Sequence, residues 1–364
     1  MNANFKYDTS YKHIKEQLQN ISIKHYAKTR NYVNGSVTKL SAYISRGLIQ
    51  PVDVFEQVIS SDASFEDKDS FIRQLAWREY WQRSLIKLGS KVFTDIRKPQ
   101  ENIANYDIPE AVISGSTSIN AIDTAIQSLY DTGYVHNHSR LYIAALVCNC
   151  AKSHWLLPAK WFYYHLFDGD IASNHLSWQW VAGTNSHRRY IANQKNINKY
   201  SFTNQTATYL DYEYDDLASQ PIAESLKSTI QLCLQTQLQH TPLPRLNSKL
   251  PTLIYNSYNL DPEWNKTMDA NRILLLEPSH FKKYPVSQKV IQFICDLSQN
   301  INGIQIYVGE LSELIKLSSA PFFAKKHPLF DYSIIREEPP EWLFDISKDF
   351  TSFSSFWKKC TKPF

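Results

Sequence analysis

Glycine is scarce in this chain, with only 9 in 364 residues. Loops that cradle nucleotide phosphates with the backbone need closely spaced glycines, so the composition argues against such a loop as the means of holding a nucleotide. Cysteine is also sparse, since there are five, an odd number, in neither a zinc-ribbon nor a four-cysteine iron–sulfur spacing. We therefore expect reduced thiols and a cytoplasmic protein.

Long apolar runs are missing as well. No stretch approaches the ~20 residues of a membrane-spanning helix, and the first twenty residues lack the apolar core of a signal peptide. The net charge of +4 is weak evidence for a polyanionic partner unless the positive charge is focused on one face. What the chain has in plenty is aromatic side chains, with 9 Trp, 22 Tyr and 18 Phe, and a length sufficient for about two domains.

The most informative stretch is residues 161–183, which read WFYYHLFDGDIASNHLSWQWVAG. It sets two carboxylates, Asp168 and Asp170, around one glycine, then places Asn174, Trp178 and Trp180 downstream. Acidic and amide groups this close to large aromatic side chains indicate a buried polar ligand rather than a plain hydrophobic core.

Residues 70–88, SFIRQLAWREYWQRSLIKL, predict a helix. Ser70 would cap it, an apolar stripe beginning at Phe71 would form its buried face, and Gly89 would end it. Trp77 and Trp81 are one turn apart and therefore share a face of this helix. On this segment alone, a core helix with two packed tryptophans explains the pattern.

Two other segments carry possible ligand-binding side chains. The tetrad 38–41, TKLS, precedes an apolar helix, where hydroxyls, a lysine and free backbone N–H groups suit a phosphate, although a plain helix cap is the simpler alternative. Residues 118–152 predict two helices separated at Gly133, and the second begins in YVHNHSRL. A lone arginine there would normally lie at the surface, whereas one held near the acidic turn would form a charge-assisted pair, because neither ion could be buried alone.

These segments resemble, in the same order, those of the photolyase/cryptochrome family: a Thr-Ser-Arg/Lys-Leu-Ser segment, LIWREFY, GWMHNRxRM, and DGD followed by Asn and WQW. The resemblance covers roughly residues 30–185. It implies a helical domain that binds FAD in a U-shape, with the diphosphate at the tetrad. The side chains that it assigns to FAD are Thr38, Lys39, Leu40, Ser41, Phe71, Arg78, Asn137, Arg140, Asp168, Asp170 and Asn174.

The resemblance also implies roles in light-driven chemistry on UV-damaged DNA, where reduced flavin passes an electron to a flipped pyrimidine dimer. Trp77 would line the lesion pocket with Gln74, and Asn174 would lie beside the flavin N5. Trp178 and Trp155 would be the first two members of an electron relay, with Trp180 completing the triplet.

Four positions depart from the family's pattern. Gln74 stands where repairing members usually have Glu, Leu141 stands in place of Met, and His138 in place of Arg. No third relay tryptophan is present, and Tyr106 is the nearest aromatic substitute. Histidines that six-four enzymes place four residues apart are absent at Asn137 and Leu141, which favours cyclobutane dimers as substrate.

Two functions remain open on this evidence. The first is a lyase repairing cyclobutane dimers in DNA, with single strands as a possible preference. The second is a blue-light photoreceptor of cryptochrome type without repair. Trp77 favours the first and Gln74 favours the second.

A basic and aromatic segment follows Gly183, and its composition is typical of a surface for single strands or flipped bases, although a solvated basic loop explains it equally well. The predicted DNA-binding side chains are His138, Arg188, Arg189, Lys195 and Lys199.

The last third of the chain changes in character. Residues 222–237 predict a helix, and the proline-rich stretch 241–251 predicts a linker. Apolar runs at 253–255, 272–276 and 304–308 predict strands, with a helix after Ser287 and another over 311–317, giving a βαβ unit with an added strand. We therefore predict a mainly α protein: a helical FAD-binding domain over 1–240, then a small α/β domain over 252–364 with an aromatic, basic tail.

Overall fold

A computed structural model describes residues 5–217 and 219–361 of the chain. Its first part is helical, and the helices there are α1 Tyr11–Gln19, α2 Ile23–Thr29, α3 Ser41–Ser45, α4 Pro51–Ile59, α5 Phe65–Leu88, α6 Glu110–Ser114, α7 Asn120–Thr132, α8 Asn137–Ala145, α9 Leu156–His165, α10 Ile171–Ala182, α11 Gln194–Ser201 and α12 Tyr214–Leu217. Single turns of 3-10 helix lie at Gly89–Phe93 and Glu224–Leu226, and a π turn at Leu146–Cys150 extends α8. A short antiparallel pair joins β1 Ile108–Pro109 to β2 Thr229–Ile230.

The last part of the described chain is an α/β unit. Its elements are β3 Thr252–Tyr255, β4 Asn271–Leu276, α13 Pro278–Lys283, α14 Gln288–Ser298, β5 Ile304–Val308, α15 Leu311–Leu314, a 3-10 turn Ile315–Leu317, β6 Phe322–Lys325, β7 Arg336–Glu338 and α16 Phe353–Cys360. Strands β3 to β7 form one parallel sheet in the order β5-β4-β3-β6-β7. The predicted fold class and the predicted βαβ unit are confirmed, while β6 and β7 extend the sheet beyond the prediction.

Helix α5 is longer than predicted because it begins at a different cap. The hydroxyl of Ser64, rather than Ser70, accepts a hydrogen bond from the Asp67 N–H at 3.2 Å. Two acidic residues then occupy the first turn, where the helix dipole favours negative charge. The predicted end at Gly89 is confirmed, and its φ of 53° is one that glycine adopts readily.

The predicted helix over 222–237 is wrong. Only Glu224–Leu226 form a 3-10 turn, Ile230 pairs with Ile108 in the β1–β2 ladder, and residues 231–237 have no regular secondary structure. Pro221 precedes the segment, and β-branched residues such as Thr229 and Ile230 favour extended backbone. The hydroxyl of Thr236 is held by the backbone of Val286, from which it accepts at 2.7 Å and to which it donates at 2.8 Å.

The hydrophobic core divides into one large cluster, a second cluster whose fully buried members lie within residues 108–226, and a smaller one within the α/β unit. The large cluster joins α3 and α5, through side chains such as Tyr43 and Leu75, to Leu274 of β4 and Val290 of α14. The carboxyl-terminal helix α16 also packs on α5. The division at 240 with a linker over 241–251 therefore stays a prediction, because one core spans both parts.

None of the described helices combines the length and the apolar character needed to cross a membrane.

Candidate functional site

The acidic turn at 168–170 is positioned by contacts on both of its sides. Gly133 ends α7 with φ of 67°, and a side chain there would collide with the ring of Phe167. The Phe167 N–H donates to the Gly133 carbonyl at 2.9 Å. On the other side, the guanidinium of Arg46, itself 1% exposed, donates to the Phe167 carbonyl at 2.9 Å. The turn is therefore held from two directions by groups distant in sequence.

Asp168 and Arg140 form the predicted ion pair. Arg140 Nη2 lies 2.8 Å from Asp168 Oδ2, and Arg140 Nε donates to the Val135 carbonyl at 2.8 Å. Burial alone would lower the pKa of Arg140, but the Asp168 carboxylate outweighs it and raises that pKa. The arginine therefore stays charged beside a carboxylate that is itself only 8% exposed.

Asp170 has a different set of partners and a structural role as well. It caps α10 through the backbone N–H groups of Ala172 and Ser173. Arg78 Nη1 lies 2.9 Å from Oδ2, and Gln82 Nε2 donates to Oδ1 at 2.7 Å. Burial would raise the pKa of Asp170, but the positive charge of Arg78 together with the hydrogen bonds from Ser173 and Gln82 lowers it. Asp170 thus links α5 to the start of α10.

The tetrad 38–41 lies near the Arg140–Asp168 pair, because Lys39 and Arg140 both lie near the ring of Tyr134. Lys39 Nζ lies 5.8 Å from the ring centroid of Tyr134, and the guanidinium of Arg140 lies 5.9 Å from the same centroid. Lys39 also lies 3.6 Å above the ring of Phe5, and burial lowers its pKa. Leu40 is buried, whereas Thr38 and Ser41 are half-buried at the start of α3. Two basic side chains from separate segments therefore flank Tyr134.

Two buried polar atoms at this cluster, Asp168 Oδ1 and the Tyr7 hydroxyl, have no partner within the described protein. On α10, His175 Nε2 also lacks one. Buried polar groups are normally satisfied, so this group marks a place where a polar ligand could bind. Asn174, adjacent to His175, donates to the Ala159 carbonyl at 2.8 Å, which fixes its amide and leaves the oxygen as an acceptor.

The predicted relay tryptophans lie inside the protein with aromatic neighbours. Trp178 is buried with the ring of Phe162 at 5.9 Å. Trp155 is fully buried, with His175 at 6.0 Å on one side and His154 at 5.7 Å on the other.

The chain of aromatic contacts then continues to the surface. The ring of Tyr106 lies 5.2 Å from that of His154, and Tyr106 is 68% exposed. Tyr106, the substitute for the missing third tryptophan, is therefore linked to Trp155 through a histidine.

Trp77 is not an open platform in this structure. The ring of Phe353, from α16, stacks on it with centroids 3.6 Å apart and planes 9° apart. Gln74 donates to the Ser70 carbonyl of its own helix at 3.4 Å. Trp180 is 38% exposed and packs near Tyr190.

Two further residues predicted to bind the cofactor, Phe71 and Asn137, have no hydrogen bond or ring contact with Arg140, Asp168 or Lys39 among the described residues. Phe71 is buried and packs against the ring of Tyr26 at 4.5 Å. Asn137 is exposed at the start of α8, next to His136, which caps that helix.

The predicted DNA-binding side chains are partly free and partly engaged. Arg188, Lys195 and Lys199 are exposed, and Arg189 is half-buried against Gly183. His138 instead stacks on Tyr200 at 4.7 Å and contacts the Asn31 carbonyl through Nδ1 at 2.6 Å. Burial lowers its pKa, so it contributes a neutral ring rather than a positive charge.

Sequence reasoning missed several residues that complete this arrangement: Tyr7, Arg46, Gln82 and Tyr134. Tyr134 could have been found, since it occupies the aromatic position of the GWMHN-like motif. Gln82 is one turn after Arg78 and shares its face. Tyr7 and Arg46 carry no local signal, because only long-range packing brings them to the acidic turn.

Comparison with known proteins gives this arrangement a context. Residues 71–220 match the model of the FAD binding domain of DNA photolyase. The chain is 35% identical over 123 residues to a deoxyribodipyrimidine photo-lyase of Streptomyces griseus, covering 33% of this chain and 27% of that protein. It is 28% identical over 180 residues to a cryptochrome DASH of Gloeobacter violaceus, covering 46% of this chain and 35% of that protein.

Among solved structures, a Synechocystis cryptochrome aligns at 23% identity with a TM-score of 0.48, over 54% of this chain and 44% of that one. The chain spans roughly a quarter to a third of the length of the two curated relatives it matches above.

Proposed function

Residues 71–220 of this chain belong to the photolyase/cryptochrome family as an FAD-binding domain, and from that premise we propose a light-driven lyase that splits cyclobutane pyrimidine dimers in DNA. The observation that carries the proposal is the pairing of Asp168 with Arg140 beside Lys39. There, one buried carboxylate oxygen is matched and the other lacks a protein partner. This unmatched acceptor fits an N–H donor on a planar polar cofactor.

The residues present therefore fit FAD. Bound FAD, reduced and excited by blue light, supplies the electron that breaks the dimer. Asp168 Oδ1 would accept a hydrogen bond from the cofactor, and the Arg140 guanidinium would balance charge beside it. Lys39 and the hydroxyls of Thr38 and Ser41 would hold its phosphates at the start of α3.

Substrate binding would use Trp77 and Gln74 of α5. A dimer must leave the base stack to reach any buried group. Trp77 offers a ring on which the flipped bases could stack, and the amide N–H of Gln74 could donate to a dimer carbonyl as negative charge develops there. Since Phe353 covers Trp77, the substrate must displace this ring.

A photoreceptor without repair is the second candidate. The same two observations favour it: the Gln74 amide is bonded to its own helix, and the stacking face of Trp77 is occupied. A protein of this kind would bind FAD and respond to light without acting on DNA.

The deciding experiment is dimer loss per absorbed photon, measured by chromatography of single-stranded and double-stranded oligonucleotides carrying one dimer. We expect FAD-loaded protein to remove the dimer under blue light and not in the dark. If the FAD-loaded protein leaves the dimer intact under light, the repair proposal is wrong and the photoreceptor is favoured. A protein that takes up no FAD would refute both.

Two variants refine this experiment. Trp77→Ala should lower the yield by removing the stacking ring, and Gln74→Glu should raise it because a carboxylic acid can also donate its proton. Trp264→Phe, in the α/β unit, is the matched control for loss of a tryptophan. Repair unaffected by Trp77→Ala would show that the dimer binds elsewhere.

A further inference from the structure

An exposed phenylalanine ends α11 in a backbone conformation that suits glycine better. Phe202 has φ of 55°, in the left-handed region, and 62% of the residue is exposed. Bulky side chains rarely adopt this conformation, and glycine or asparagine at this position of a helix would avoid the strain. Neither burial nor backbone geometry therefore explains why a phenyl ring stands here.

The backbone at the end of α11 is fixed by hydrogen bonds to Asn198. The Phe202 N–H donates to the Asn198 carbonyl, and the Thr203 hydroxyl donates to Asn198 Oδ1 at 2.8 Å. Asn198 Nδ2 in turn donates to the Gln205 carbonyl at 2.7 Å. Because these bonds hold the chain on both sides of Phe202, the strained residue leaves the helix in a fixed direction.

Phe202 is one of four neighbouring rings that come from separate segments. The ring centroid of Tyr32 lies 5.4 Å from that of Phe202 and 5.2 Å from that of Tyr200. The Val33 N–H donates to the Tyr200 carbonyl at 2.9 Å, which joins the loop after α2 to α11. Tyr200 also stacks on His138 of α8. These rings form one surface, the aromatic patch of Tyr32, His138, Tyr200 and Phe202.

A cavity of about 560 Å³ lies over part of the aromatic patch. Tyr32 and Phe202 line it, together with Asn34 of the loop after α2. At Gly35 in the same loop, a side chain would collide with the Thr29 carbonyl oxygen, so the loop can fold this tightly only with glycine there. The volume is within the range of pockets that hold small organic molecules.

The segments that form the aromatic patch are free of acidic residues over long stretches. Asp and Glu are absent from residues 17–52, 132–167 and 171–210. Lys28 and Lys199 are exposed, Arg30 is half-buried, and Lys199 Nζ lies 5.3 Å from the ring centroid of Tyr200. Among the described residues, no carboxylate forms an ion pair with any of these three basic side chains. The patch therefore suits a partner with several negative charges.

Exposed rings and unpaired positive charges on one surface together suit a single nucleic-acid strand. Unpaired bases stack on aromatic side chains, and cationic side chains hold the phosphates. A duplex keeps its bases inside the stack, so it offers no base face to Tyr32 or Phe202. An acidic peptide would be attracted by the charge but would leave the exposed phenyl ring without a role.

We propose that an unpaired base of a single nucleic-acid strand stacks on Phe202 and Tyr32, while the basic side chains beside them contact its phosphates. The proposal rests on the proposed function for DNA as the partner, and adds a base-binding site that needs no lesion. None of the residues that line the cavity is among those assigned above to FAD or to the dimer. The aromatic patch therefore binds an undamaged strand in the dark.

The test measures binding of the FAD-loaded full chain, in the dark, to a fluorescein-labelled oligothymidine without lesions, by fluorescence anisotropy. Phe202→Gly removes the ring at a backbone conformation that glycine adopts readily, so the fold should be retained. Phe202→Gly and Tyr32→Ala should each weaken binding at least about fivefold, the loss expected for one stacked base. Phe65→Ala removes a phenyl ring of similar exposure, 66%, at the start of α5 and should bind as the wild type does.

An abasic strand of the same length separates stacking from phosphate contacts, since it carries the same charge and no bases. It should bind the wild type at least about fivefold more weakly than oligothymidine does, and Phe202→Gly should not change its affinity. Equal affinity of the wild type for the two strands would overturn the proposal. Undiminished oligothymidine binding by folded Phe202→Gly would overturn it as well.

Two further outcomes assign a failure to the right proposal. A wild-type dimer in sedimentation that Phe202→Gly converts to a monomer would make the aromatic patch a contact between two copies of this chain, and would overturn strand binding there. A protein that binds oligothymidine through Phe202 yet leaves the dimer in DNA intact under light would support the aromatic patch and contradict only the repair proposal.

Discussion

Replacing Arg140 with methionine tests the ion pair on which the acidic turn depends. The change keeps a long apolar side chain but leaves the Asp168 carboxylate, 8% exposed, with neither oxygen paired. Removing one partner of a buried ion pair typically costs about 3–5 kcal/mol. The reverse change, Asp168→Asn, leaves a guanidinium that is a quarter exposed and still bonded to Val135, so we expect about 1–3 kcal/mol.

The assay is urea unfolding, read together with FAD absorbance on the same samples. Arg140→Met should lower the unfolding midpoint more than Asp168→Asn does. Arg140→Lys, which keeps the charge, should recover part of the loss. The double variant Arg140→Met/Asp168→Asn should cost less than the sum of the two single changes, because residues in direct contact are not additive.

The reasoning is refuted if Arg140→Met unfolds at the wild-type urea concentration and retains FAD in full. That result would mean that Phe167 and Arg46 hold the turn without help from the ion pair. A loss of FAD at unchanged stability would instead assign Arg140 to cofactor binding alone.

Three further predictions concern electron transfer, DNA and pH. Trp178→Phe should abolish photoreduction of bound FAD by external thiol, and unaltered photoreduction would place the relay elsewhere. Replacing the basic residues Arg188, Arg189, Lys195 and Lys199 together with alanine should weaken binding to every DNA sequence and flatten the salt dependence of binding. A salt dependence equal to that of the wild type would exclude these residues from the DNA interface. Burial lowers the pKa of three enclosed imidazoles to about 4, 3 and 3, respectively, in His136, His175 and His280. As pH falls below ~6.5, the unfolded chain binds a proton at each of these histidines and the folded chain does not. Each histidine should therefore lower the free energy of unfolding by about 1.4 kcal/mol per pH unit, down to the pKa it has in the folded protein. Melting temperature should therefore drop steeply from pH 6.5 to 5, and a flat profile would contradict the burial of these rings.

The local sequence pattern was sufficient to predict the structure where a residue's partners lie within one or two helical turns. It was also sufficient where the chemistry of a residue allows only one environment. The stripe of α5 and the ending of that helix at Gly89 follow from periodicity and backbone freedom. The resemblance to the family placed Arg140 beside the acidic turn, and the cost of burying either ion alone then explains its pair with Asp168. The strands β3 and β4 were readable as apolar runs, since strands covered on both faces exclude water, whereas the edge strand β5 is mostly half-buried.

Other features depended on contacts between residues far apart in sequence. Within the segment 222–237, Thr229–Ile230 form a strand because Ile230 finds a ladder partner in Ile108, which no local window contains. Phe353 covers Trp77 across more than 250 positions, and Phe202 meets Tyr32 across more than 150. The residue types of this chain determined which groups must be buried and paired. Only the packing of α3, α5 and the tail against the α/β unit decided which of those groups meet, because side-chain contacts between distant segments leave no periodic trace in the sequence.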